Sequence, residues 1–124
     1  MDLVPRRFGN TIVLSPAGRL DHATADGFKD ALLAQMGTCM AGQDLLVLDL
    51  SGVPYIASVG LRALMIASKQ AKAQGGTLVV AALQPVVKEI FEISRFTLVL
   101  NSFPSVRDAL AAISPSALQA FDSA

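Results

Sequence analysis

A chain of 124 residues is long enough for one compact domain, the expected number, and size scaling has it burying roughly two-thirds of its unfolded surface. Hydrophobic residues make up 52% of it, yet they fall in short runs such as Leu45-Leu46-Val47-Leu48, far below the roughly 20 residues of a membrane span. The 10 basic residues balance 10 acidic ones and are dispersed, which excludes the electrostatic footprint of a nucleic-acid binder.

Arg6-Arg7 run directly into Phe8-Gly9-Asn10-Thr11, so no basic-then-apolar secretory leader is predicted. Cys39 stands alone, which rules out an internal disulfide framework or thiolate metal site and fits a reducing cytoplasm. Val4 to Phe8 and Thr11 to Leu14 flank Gly9-Asn10, a two-residue loop with glycine first that predicts a type II′ hairpin. Ala25, Phe28, Leu32 and Met36 recur at helical spacing, predicting a helix from Thr24, a candidate N-cap, to Met36, with Gly37 as its stop. Leu45 to Leu48 reads as a strand buried on both faces.

A second helix is predicted from Ser58 to Ala73, with Leu61, Leu64, Met65, Ser68 and Ala71 inward and Arg62, Lys69 and Lys72 toward water. Gly75-Gly76 ends it. Thr77 to Ala81 reads as the next strand, and Pro85 opens a third helix with Val87, Ile90 and Phe91 in a stripe. Thr97 to Leu100 reads as the last strand. Ser105 begins the final helix, with Asp108 three residues on as a capping-box partner and Val106, Leu110 and Ile113 inward. Pro115 ends it or starts a short extra turn. The expected fold is α/β: one domain over residues 1–113, with a mixed sheet that opens on an antiparallel hairpin and is covered by about four helices. Residues 114–124 are expected to form a weakly docked or flexible tail.

Ser58 is the one residue whose placement suggests chemistry. It lies between an apolar strand and a long helix, beside unpaired backbone N–H groups and the positive end of the helix dipole. Two readings follow: an ordinary N-cap contributing roughly 1 kcal/mol, or an oxygen suited to carrying a phosphate. A catalytic elbow fits poorly, because that turn needs glycines two positions either side of the serine and Ile56 occupies one of them. His22, the sole histidine, also precedes the serine, whereas the hydrolase order places it last. No second His or Cys cluster joins His22, so no metal site is expected. Cys39 has no cation among its sequence neighbours and reads as an unreactive thiol. Neither a P-loop nor a dinucleotide fingerprint follows a strand, so Gly75-Gly76 is a turn and no cofactor is expected.

Taken in order, Gly18-Arg19-Leu20-Asp21, Leu48-Asp49-Leu50, Tyr55-Ile56-Ala57-Ser58-Val59-Gly60-Leu61, Gly75-Gly76-Thr77-Leu78 and Gln84-Pro85-Val86-Val87 resemble a STAS domain. From Val4 to Ile113 the chain resembles, more closely, a stand-alone bacterial anti-sigma factor antagonist. That resemblance implies a binding module and not an enzyme. In such proteins the unphosphorylated form binds an anti-sigma factor that is also a serine kinase. Phosphorylation of a serine at the start of the second helix ends the association, and a PP2C-type phosphatase restores it.

The resemblance places the phosphoacceptor on Ser58 and the docking surface on Asp21, His22, Ala23, Thr24, Ala57, Ser58, Val59, Gly60, Leu61 and Arg62. Four positions depart from the family pattern: Ala57 replaces its Asp, Val59 its second hydroxyl residue, and Arg95-Phe96 its Gly-Leu. An alternative within the same family is an accessory subunit that docks on the ATPase of a lipid-transporting ABC system.

Overall fold

The computed structural model describes residues 3–124. Five strands form one sheet in the order β1 (Arg6–Phe8), β2 (Thr11–Leu14), β3 (Leu45–Asp49), β4 (Leu78–Ala81) and β5 (Ser102–Phe103). The β1–β2 pair is antiparallel and the other pairs are parallel. Gly9 takes φ +58 in the hairpin loop while Asn10 keeps a negative φ, the single positive angle that a type II′ turn requires.

Residues alternate between the two faces of the sheet. Ile12, Leu14, Leu46, Leu48 and Val80 face α1 (Ala25–Ala34), α2 (Ser58–Ala73) and α3 (Pro85–Ile93), burying Phe28, Leu32, Leu64 and Phe91 completely. Val13, Val47 and Val79 stand side by side in register on the opposite face, against Ala109 and Leu110 of α4 (Val106–Ile113) and Ala117 of α5 (Pro115–Ser123). Each of the three central strands therefore buries both faces, as expected for Leu45 to Leu48.

The last predicted strand is corrected. Thr97 to Leu100 does not join the sheet; Phe96–Leu98 form a 3₁₀ turn, and pairing resumes only at Ser102. A strand would place Leu98 and Leu100 on one face, yet Leu98 is 81% exposed and Leu100 only 3%. Burial follows Phe96 and Leu100, and Phe96 packs edge-on against Phe91 at 5.1 Å between ring centroids. Arg95 makes this turn possible by adopting φ 58, ψ 26, the left-handed conformation that usually falls to glycine just past a helix end.

The tail is corrected too. Residues 115–123 form α5, a fifth helix, in place of a weakly docked end. Ser114 closes α4 and opens α5; its Oγ accepts from Ala117 N at 3.2 Å and donates to Asn10 Oδ1 at 2.6 Å. Ala117 is fully buried beside Gly9, Phe121 meets Phe8 edge-on at 5.2 Å, and Arg107 pairs with Asp122 at 3.0 Å. Small residues at the contact, and anchors more than a hundred positions away, hid this docking from a local reading.

Asp44 fixes the entry to β3. Arg7 holds its two carboxylate oxygens at 2.7 and 2.9 Å, Thr38 Oγ1 donates to one of them at 2.6 Å, and these contacts lower its pKa from 3.8 to about 2. A carboxylate with a depressed folded pKa adds stability above its unfolded value and loses it as pH falls through the folded one. The stability gap between the wild type and Asp44→Asn is therefore expected to be constant above about pH 5 and to close between pH 4 and 2. Urea titrations at stepped pH measure it, and a gap that widens on acidification would contradict this account.

Candidate functional site

The loops that follow β2 and β3 run side by side past the ends of those strands. Parallel bridges join Ala17 to Gly52 and Leu20 to Ile56, and Ala57 N donates to Leu20 O at 2.8 Å. Leu20 N in turn donates to Tyr55 O at 3.0 Å. This pairing brings the segment 21–24 against the segment 57–62, so the two stretches named from the sequence form one surface.

The first stretch is rigidly bonded. Asp21 Oδ1 accepts from Ala23 N at 3.0 Å, while Thr24 Oγ1 accepts from Asp21 N at 3.0 Å and donates to Arg19 O at 2.6 Å. Thr24 does occupy the N-cap position of α1, but its hydroxyl is drawn back into the loop and makes no capping bond. His22 and Ala23 are exposed on the outside of this turn.

Ser58 is not the cap of α2. Ala57 holds that position, with φ −87 and ψ 171, and its methyl group cannot accept a hydrogen bond. Its carbonyl receives Gly60 N at 2.9 Å and Leu61 N at 3.1 Å, which starts the helix on backbone bonds alone. Ser58 is the first helical residue, exposed, and its hydroxyl makes no hydrogen bond among the described residues. The first turn carries no acidic residue.

Gly60 is buried and lets α2 enter close to the loop. A Cβ there would lie 2.9 Å from Leu20 O and 2.7 Å from Ile56 Cγ1. It presents no side chain, so the outward groups of this stretch are Ser58, Val59 and Arg62, with Leu61 half-buried against the core. Val59 and Arg62 continue into a groove of about 340 Å³ between α1 and α2, shared with Asp26, Lys29 and Ile66.

One feature of the surface escaped the sequence reading. The Arg19 guanidinium lies 4.6 Å over the ring of Tyr55, and its Nε is 3.6 Å from Asp21 Oδ2. Residues 36 positions apart meet here because the loops are paired, a contact without a local sequence signal.

The remaining polar candidates stay apart from Ser58. Cys39 is buried with its thiol against Thr77 O at 3.4 Å, and desolvation pushes its pKa up, the opposite of an activated thiolate. No hydrogen bond joins His22 to Ser58, and no group of three or more His, Cys, Asp or Glu side chains could hold a metal ion among the described residues. No helix among them is long and apolar enough to cross a membrane.

A mixed sheet opened by a hairpin, with paired loops presenting a helix start at one end, defines a single STAS-type module. The family profile of the STAS domain matches residues 3–109, and the chain belongs to that family. It is 35% identical over 120 residues, covering 95% of this chain and 98% of the relative, to BtrV of Bordetella bronchiseptica, provisionally named an anti-sigma factor antagonist. An anti-sigma factor antagonist from Mycobacterium paratuberculosis superposes with a TM-score of 0.78 at 25% identity, over 90% of this chain and 92% of that one. The murine anion transporter Slc26a9 contains a similar fold, with a TM-score of 0.76 at 20% identity over 86% of this chain but only 18% of that one.

Proposed function

We propose that this chain is an anti-sigma factor antagonist whose binding to an anti-sigma factor with serine-kinase activity is ended by phosphorylation of Ser58. The observation that carries this reading is the exposed, unbonded Ser58 hydroxyl at the start of α2, framed by the ordered loop from Asp21 to Thr24. The name of the Bordetella relative supports it.

In the unmodified state the docking surface comprises Asp21, His22, Ala23 and Thr24 with Ala57, Ser58, Val59, Leu61 and Arg62, and Gly60 shapes it from below. Transfer of the γ-phosphoryl of ATP forms a bond from phosphorus to Ser58 Oγ, releases ADP and frees the hydroxyl proton. The product carries about −1.5 to −2 charge at pH 7. Backbone N–H groups at the start of α2 accommodate that charge, so the domain stays folded while the partner meets like charge and bulk. A PP2C-type phosphatase reverses the step by hydrolysis. A cytoplasmic setting follows from the ATP requirement.

The test is capture of partners with the unmodified chain, followed by addition of ATP to the captured kinase. One phosphate on Ser58, located by mass spectrometry and absent from Ser58→Ala, is the expected result. Phosphate at another residue, or none, overturns the reading. Ala57 in place of the family's Asp favours a second reading, an accessory STAS subunit docked on the ATPase of a lipid-transporting ABC system. Recovery of an ABC ATPase in the same capture would select it.

A further inference from the structure

We infer that Arg62 is the partner in cis of a phosphate on Ser58, so that phosphorylation both adds negative charge to the docking surface and withdraws a guanidinium from it. This inference rests on the phosphoacceptor role proposed for Ser58.

Ser58 and Arg62 lie four residues apart on α2, the spacing at which helical side chains stand one above the other with Cβ atoms about 5–6 Å apart. An anion N-terminal to a cation is the favourable order for such a pair. Both residues are exposed. Side-chain ion pairs among the described residues join Arg7 to Asp44, Arg19 to Asp21 and Arg107 to Asp122, and Arg62 takes part in none. Arg19, the other arginine beside this surface, is already stacked on Tyr55 and drawn toward Asp21.

The charged neighbours favour the same partner. Asp26 and Lys29 of α1 share the groove with Arg62, and neither makes an ion pair there. On α2 itself the first turn has no acidic residue and position 57 is alanine, so no carboxylate at the start of that helix competes for Arg62 or repels the phosphate. A phosphate near full ionisation outweighs the single carboxylate of Asp26, and its three oxygens suit the planar fork of a guanidinium. Arg62 thus changes its allegiance on phosphorylation, from the partner to its own helix.

Phosphoserine installed at position 58 of the full chain during translation tests this without any kinase. The second ionisation of phosphoserine, ordinarily near pH 6, is followed by ³¹P NMR across pH 4 to 8 in the wild type, Arg62→Gln and Arg62→Lys. The wild type is expected to titrate about 0.2–0.4 pH unit lower than Arg62→Gln, the strength of a helical ion pair acting on the one charge gained in that ionisation. Arg62→Lys is expected to recover part of that shift, and roughly 1 M salt to erase most of it. Coincident curves for the wild type and Arg62→Gln overturn the pairing. Because the phosphate is placed during translation, a shift seen here stands even if no kinase modifies Ser58, and a failed shift leaves the kinase assay untouched.

Discussion

Gly76→Ala is expected to destabilise the protein by about 3 kcal/mol, the upper range for an added methylene in a packed interior. The new Cβ would sit 2.3 Å from Cys39 O and 2.6 Å from the carbon of that carbonyl, so the clash is with backbone and no rotamer relieves it. The strap it strikes is itself pinned: Gln74 Nε2 donates to Met36 O at 2.9 Å and to Cys39 O at 2.7 Å. Moving the strap would break those bonds as well. Urea unfolding should show a lowered midpoint with an unchanged slope. Gly75→Ala provides the comparison, since its φ of +69 places the penalty in the backbone conformation and about 1–2 kcal/mol is expected. A midpoint for Gly76→Ala equal to the wild type would mean that the strap yields without loss.

Ser58→Asp is expected to weaken binding of the captured partner by roughly tenfold or more, or at least about 1.4 kcal/mol, while leaving the fold intact. The two effects have different origins. At the docking surface the carboxylate mimics part of the phosphate's charge and bulk; at the start of α2 an anion is favoured by about 0.3–1 kcal/mol at an exposed site. The urea midpoint should therefore hold or rise slightly as affinity falls. Titration calorimetry with the captured partner, run beside unfolding curves, separates the two. Full affinity in Ser58→Asp would contradict a block by charge, and lost affinity with a lowered midpoint would assign the effect to damage.

Legibility in the sequence followed the range of the forces involved. Leu45 to Leu48 and the stripe of α2 were readable because burial repeats at the period of the element itself, every second or every third to fourth residue. Thr97 to Leu100 misled because a largely apolar run of that length suits a strand as well as a turn. The outcome was decided by the ring of Phe91 and the left-handed backbone at Arg95, neither of which is local pattern. α5 was hidden because its anchors, Ala117 at Gly9 and Phe121 at Phe8, join opposite ends of the chain. At the site, the segment around Ser58 was legible but the cap was misplaced by one residue, since Ala57 has no side-chain oxygen to mark it. The Arg19–Tyr55 stack required the pairing of two loops before it could be seen.

The strand order β1-β2-β3-β4-β5 also has a meaning in time. Every strand lies beside the one made just before it, so a chain leaving the ribosome can extend its sheet in the direction of synthesis, each new strand finding its template already in place. The exception is the last helix, which must travel back to the first hairpin, where Ser114 meets Asn10 across 104 positions of chain. Until α5 emerges, the face of Val13 and Val47 lacks part of its cover, and a nascent chain exposed only through α4 would hold its sheet complete with that face partly bare.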